Sequence, residues 1–146
     1  MRVYLDNCCL GRPFDDQNFP RIFVETQATL FIQDRIRAGR IELASSHILH
    51  YENSQCQNKI RKESVANFIK EYSKIHIDMS YGEQVLKLSE KIIPSGVKDK
   101  DAYHVASAIL AECDYFLSTD YRLLKYKTNE IILLNPVEFV KVLEDD

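Results

Sequence analysis

Asp99–Glu112 constrains the fold more than any other stretch of the chain. Ala102, Val105, Ala106 and Ile109 recur at i, i+3, i+4 and i+7, an apolar stripe of helical period. Tyr115-Phe116-Leu117-Ser118-Thr119 follows almost at once and reads as a buried strand that ends at Asp120. A helix that feeds directly into a short apolar strand is half of a βαβ crossover, and the rest of the sequence repeats the theme. Arg2–Leu5 reads as a strand ending in Asp6, with Asn7 suited to a loop. A helix is expected from about Arg21 to Ala38, with Ile22, Phe23, Thr26, Leu30, Phe31 and Ile36 as its apolar positions and Gly39 as its stop. Ile41–Ser45 is expected as a second strand, and Ser46 as the cap of a helix running through Asn53 and toward Cys56.

Another helix follows, with Ile60, Val65, Phe68, Ile69 and Tyr72 facing inward. Ile75–Asp78 alternates like a strand, Tyr81–Ile93 is helical up to Pro94-Ser95-Gly96, Ile131–Leu134 is a last buried strand, and Val137–Leu143 closes the chain as a helix. Strands alternating with helices imply an α/β fold with a mainly parallel central sheet and helices on both faces. In such sheets ligands bind beyond the carboxyl ends of the strands, where the strand order reverses.

Composition narrows the classes. At 146 residues, with 45% hydrophobic and 28% charged residues, the chain suits one globular domain, residues 1–146. Its longest apolar runs, such as Ile131–Leu134, are far short of a membrane span. Met1–Asp6 reaches an acid after three apolar residues, which argues against a secretory leader and for the cytoplasm. There Cys8, Cys9, Cys56 and Cys113 are expected as thiols, and their spacing matches no zinc pattern. No phosphate-cradling glycine motif is present. His47 and His50 lack the H-E-x-x-H arrangement, and His104 reads as a packed or hydrogen-bonded helix residue.

Four acids carry the chemical signal. Asp6 and Asp120 each end an apolar strand. Glu52 lies in line with Ile48, Leu49 and Cys56 on the apolar stripe of its helix, and Asp101 shares a face with Val105 and Ala108. Alone, each has an ordinary role: a turn residue, a helix-dipole acid, or a partner for an arginine. Gathered within a few ångströms, they would repel one another and require cations, and Mg²⁺ or Mn²⁺ suits an all-oxygen donor set. The formal charge of −3 argues only weakly against a polyanionic partner, because setting these four acids aside turns it into +1. Arg12, Lys98, Lys100, Arg122, Lys125 and the Lys59-Arg61-Lys62 cluster are the candidate cations, with Arg12, Lys98 and Arg122 foremost for substrate.

Val3-Tyr4-Leu5-Asp6, the mid-chain Glu52, Lys100-Asp101-Ala102-Tyr103-His104-Val105-Ala106-Ser107-Ala108 and Ser118-Thr119-Asp120 together resemble the successive motifs of PIN-domain nucleases. The resemblance spans nearly the whole chain, and its size is similar to that of small VapC-type toxins. It implies a three-layer α/β/α domain and a metal-dependent endoribonuclease site. Asp6, Glu52, Asp101 and Asp120 would be both the catalytic acids and the ligands of Mg²⁺ or Mn²⁺, with Thr119 or Ser118 helping to hold the site. It also implies an RNA substrate, an antitoxin protein as partner, and a homodimer. Asn7 is a candidate to orient Asp6 or contact phosphate, and Asp99 a candidate cap for the helix that carries Asp101. The rival reading is a binding-only RNA or protein module on the same fold.

Overall fold

The structure is a computed structural model and describes residues 1–145. The first strand, β1 (Arg2–Leu5), is buried along its length: Val3, Tyr4 and Leu5 expose nothing. That continuous burial is the mark of a strand covered on both faces. It pairs with β2 (Glu42–Ser46) on one side and β4 (Tyr115–Leu117) on the other, while β3 (Ser73–Ile77) and β5 (Ile132–Leu134) form the edges. The order is β3-β2-β1-β4-β5 and all four pairings are parallel. The sheet grows outward from β1 to β3, then returns to the other side of β1 to lay down β4. The switch point therefore lies between β1 and β4.

Strand alternation assigns the two faces. Tyr4, Ala44 and Phe116 share one face, on which Tyr4 and Phe116 stack at 5.3 Å between ring centroids. Covering them is α6 (Asp99–Leu110), backed by α5 (Gly82–Ile92). Val3, Leu5 and Tyr115 share the other face, where Phe139 of α8 (Pro136–Glu144) lies 5.0 Å from the Tyr115 ring. There α2 (Pro20–Arg37) packs on α8, and α4 (Lys59–Tyr72) on β2. The result is the expected α/β/α layering. Among the described residues no helix is long and apolar enough to cross a membrane.

Most elements stand where the sequence places them, and α3 (His47–Ser54) is capped by Ser46 as expected, its Oγ accepting from the Leu49 N–H at 3.0 Å. Four expectations need correction. Asp6 leads into a short helix, α1 (Asn7–Gly11), rather than a loop, because Cys9 and Leu10 are pulled into the core. The strand before Asp120 ends at Leu117, and Asp120 caps a second short helix, α7 (Tyr121–Leu124). In α2 the buried face holds Glu25, Thr26, Thr29, Ile32, Gln33 and Ile36, while Phe23, Leu30 and Phe31 are exposed. Ile60, in the first turn of α4, is exposed as well.

The inversion in α2 has a cause. Glu25, 2% exposed, accepts from Arg12 Nε at 3.0 Å and from Asn135 Nδ2 at 2.5 Å, and pairs with Arg21 at 3.4 Å. A buried carboxylate satisfied by three donors fixes the rotation of the helix, and hydrophobic periodicity loses to it. Glu25→Ala, which leaves Asn135 Nδ2 without its acceptor and Arg12 with Asp15 alone, is expected to lower the unfolding free energy by about 1–3 kcal/mol in a urea titration.

Gly11 makes a close approach of a different kind. A Cβ there would stand 2.0 Å from Arg61 Nη2, so the guanidinium that reaches Asp15 at 3.4 Å passes directly over the glycine. Gly11→Ala is expected to displace Arg61 and destabilise by roughly 1 kcal/mol. In an Arg61→Ala background the same change should be neutral or stabilising, since alanine favours helix. A denaturant double-mutant cycle reads the difference.

Candidate active site

Because every strand runs the same way, the carboxyl ends of β1, β2 and β4 share one edge of the sheet. Asp6 follows β1, Glu52 sits in the second turn of the helix that follows β2, and Ser118–Asp120 follow β4. The N-terminal half of α6 covers this edge and brings Asp101 and His104, three residues apart on one face.

Asp6 is the innermost acid. Its Oδ1 accepts the Asn7 backbone N–H at 2.8 Å and its Oδ2 accepts the Ser118 hydroxyl at 3.0 Å, while Ser118 Oγ in turn accepts from the Asp120 N–H at 3.0 Å. Burial raises its pKa and the Glu52 charge adds to the rise, while His104 and the Ser118 and Cys8 side chains oppose it. Glu52 Oε2 pairs with Lys100 Nζ at 3.0 Å, and its Oε1 faces His104 Nε2 at 3.6 Å. Burial pushes the Glu52 carboxyl up, but His104 and Lys100 outweigh it and hold the pKa at about 2. Oxygens of Asp6 and Glu52 and a ring nitrogen of His104 all lie within 4.8 Å of one another.

The other two acids stand around this group. Asp101 is half-buried, and its pKa is raised by burial first and then by the charges of Asp6 and Asp120. Asp120 is exposed at the start of α7, its Oδ1 accepting from the N–H groups of Arg122 at 2.9 Å and Leu123 at 3.4 Å. Thus the structure draws Asp6 and Glu52 together, sets Asp101 close enough to feel them, and uses Asp120 as a helix cap on the same edge.

Several supporting expectations change. Asp99 does not cap α6. The cap position is Lys98, which makes no side-chain cap bond, and Asp99 is the exposed first residue of the helix. Asn7 steadies Asp6 through its backbone N–H, while its carboxamide Oδ1 is buried without a hydrogen-bond partner. Of the two hydroxyl candidates, Ser118 bonds Asp6; Thr119 contributes its backbone, with N–H toward Cys8 Sγ at 3.4 Å and carbonyl toward Arg21. Arg12 is tied to Asp15 and Glu25 at 2.8 and 3.0 Å and is a structural group, not a free cation. Lys98 and Arg122 remain exposed, one before each helix N-terminal turn or within it.

Sequence reasoning underrated His104 and passed over Tyr4 and Arg21. Tyr4 Oη joins Ser46 Oγ at 2.6 Å to His104 Nδ1 at 2.7 Å, all inside the core. Arg21 stacks 4.0 Å over the Tyr121 ring beside the turn that carries Asp120. A polar Tyr4 inside an otherwise apolar strand was the available signal.

No protein-family model matches the chain, and no curated protein matches it in sequence. Solved structures do. VapBC2 from Rickettsia felis, bound to a DNA fragment from its promoter, aligns with a TM-score of 0.56 at 15% identity over 92% of this chain and 98% of that one. FitAcB from Neisseria gonorrhoeae gives 0.57 at 14% identity, over 92% and 97%. FitAB bound to an IR36 DNA fragment gives 0.60 at 15%, over 92% and 95%. The chain has the PIN-domain fold. At this identity the likeness is one of fold, and within the PIN-domain framework the acids described here occupy the strand-end edge.

Glu52 offers a test of the site's electrostatics. Its folded-state pKa is depressed, so its contribution to stability is fully present above about 4.5 and is lost as the pH falls toward about 2. With EDTA present, the stability gap between the wild type and Glu52→Gln should narrow by about 1–3 kcal/mol between pH 5 and pH 2, read by urea unfolding. A gap that stays constant with pH would mean that the His104 and Lys100 contacts do not form in solution.

Proposed function

We propose that this chain is a metal-dependent endoribonuclease that hydrolyses RNA phosphodiester bonds. The observation that carries the reading is the meeting of Asp6 and Glu52 with His104 at the switch point of a parallel sheet, with Asp101 beside them. The donor set fits a divalent cation: two carboxylates lie within reach of one another, neither is bound to an arginine, and a buried imidazole nitrogen beside them has no hydrogen-bond partner. Mg²⁺ or Mn²⁺ bound there supplies Lewis acidity, making water reactive near neutral pH and offsetting charge on the phosphate.

The chain's own residues do the rest. Asp6 and Glu52 are the principal ligands, Asp6 aimed by Ser118 and the Asn7 N–H, Glu52 held by Lys100. Asp101, half-buried beside them, is the group proposed to accept the proton of the attacking water. Asp120 lends charge from the edge of the site and fixes the turn after β4. Lys98, exposed at the start of α6, and Arg122, exposed in α7, are the proposed phosphate contacts. The sharing of this fold with VapBC2 and the FitAB assemblies supports an antitoxin protein as partner, and hence the role of toxin in a type II pair. The proposal includes action in the cytoplasm, as a single domain and as a homodimer.

Purified chain is expected to cleave single-stranded RNA with Mg²⁺ or Mn²⁺ and to stop in EDTA. Asp101→Asn should lose about 10²-fold or more of that rate with an unchanged circular dichroism spectrum. Metal-independent RNA binding without products would replace this reading with the binding-only module. A fully active Asp101→Asn variant would remove Asp101 from the chemistry.

A further inference from the structure

Two polar atoms at the site are buried without a hydrogen-bond partner, Asn7 Oδ1 and His104 Nε2, and of these His104 Nε2 faces the carboxylates. The side chain is 1% exposed, and Nε2 makes no hydrogen bond; its nearest charged neighbour, Glu52 Oε1, is 3.6 Å away. An unpaired buried polar atom costs about 1–3 kcal/mol. Packing alone does not call for it, since a leucine at this helix position would fill the space without that cost. The atom is nevertheless held with care: the opposite ring nitrogen bonds Tyr4 Oη at 2.7 Å, the Tyr4 ring lies edge-on to the imidazole, and Tyr4 is itself locked by Ser46 and by its stack on Phe116. An imidazole oriented through one nitrogen by a hydrogen bond, with the other nitrogen bare, is the arrangement of a metal-ligating histidine.

Distance supports the same conclusion. Atoms that share an ion at about 2.1 Å stand roughly 3–4.2 Å apart. The nitrogen of His104 and the oxygens of Asp6 and Glu52 fall within 4.8 Å, so a small inward movement closes the set. Lys100 is no obstacle. Its ammonium sits on the far oxygen of Glu52, its side chain is 62% exposed, and it can leave into solvent.

The hydrogen-bond relay allows ligation without gain or loss of a proton. In one direction Ser46 donates to Tyr4 and Tyr4 donates to His104 Nδ1, which places the imidazole proton on Nε2, toward Glu52. In the other, Nδ1–H donates to Tyr4 and Tyr4 donates to Ser46, which leaves the Nε2 lone pair facing the two carboxylates. Both directions use the same contacts.

We infer that His104 is a third ligand beside Asp6 and Glu52, so that the centre is a mixed nitrogen and oxygen site that selects first-row transition ions over Mg²⁺. The inference rests on the metal-dependent reading above and deepens it. Imidazole adds affinity along the transition series and adds little for magnesium, which prefers oxygen.

The test uses the whole chain, stripped with EDTA and dialysed. Mn²⁺ is titrated and followed by the electron paramagnetic resonance of the free ion, and Mg²⁺ by competition against it. The expected results are a pulsed-resonance nitrogen coupling on bound Mn²⁺ that changes when histidine is ¹⁵N-labelled, and a His104→Gln variant whose Mn²⁺ affinity drops tenfold or more while its Mg²⁺ affinity moves less than threefold. Tyr4→Phe, which keeps the ring but releases its orientation, should weaken Mn²⁺ binding in the same sense by a smaller factor. Mn²⁺ bound with no histidine coupling overturns the inference and leaves the nuclease reading standing; so does a His104→Gln variant in which both affinities fall together. Binding of neither ion up to millimolar concentration overturns both. If His104→Gln fails to fold, the labelled wild type decides alone.

Discussion

Asp6 sits at the end of a strand with no solvent on either side, and the site is arranged around the problem that creates. A carboxylate out of water demands donors or a cation. The chain supplies two donors, the Asn7 N–H and the Ser118 hydroxyl, which use one lone pair on each oxygen and leave the carboxylate open on its remaining side. Ser118 reaches it only because β4 lies next to β1 in parallel register, Leu5 opposite Leu117. The strand order is thus a condition of the site as well as of the core.

The molecule solves the same problem differently at Glu25. That carboxylate is buried as deeply, but Arg12, Arg21 and Asn135 saturate it. Guanidinium pairs are planar, permanent and hard to displace. At the strand-end edge, among the described residues, no arginine pairs with Asp6 or Glu52; the cation present is Lys100, a mobile point charge on the exposed side of the pair. One acidic cluster is closed and fixes how α2 and α8 meet. The other is left exchangeable. This contrast separates a structural ion network from a site better than the number of acids does.

Legibility in the sequence followed the same division. Elements set by periodicity were readable: the stripe of α6, the buried run of β1, the serine cap of α3. So were the acids that break an apolar pattern, Asp6, Glu52 and Asp101. What could not be read was decided by partners far along the chain. The rotation of α2 depends on Asn135, 110 residues away, meeting Glu25, so Phe23, Leu30 and Phe31 look inward in sequence and face outward in the fold. Arg12 looks like a free cation until Glu25 claims it. The short helices after Asp6 and Asp120 have weak intrinsic preference and form because a strand-end acid caps them and the core takes Cys9, Leu10 and Leu123.

His104 shows why a site of this kind extends into the core. Its ring is positioned by Tyr4, and Tyr4 is positioned by Phe116 and Ser46, residues from two neighbouring strands. The first of these contacts also holds the sheet to α6, and the other two tie β1 to its neighbouring strands. The orientation of a ring nitrogen at the edge is therefore bought with packing that the fold needs anyway, and a change that loosens the β1–α6 contact should blur the site before it unfolds the chain. In a small domain with few residues to spare, that double use is how a preorganised centre is maintained without a separate supporting shell.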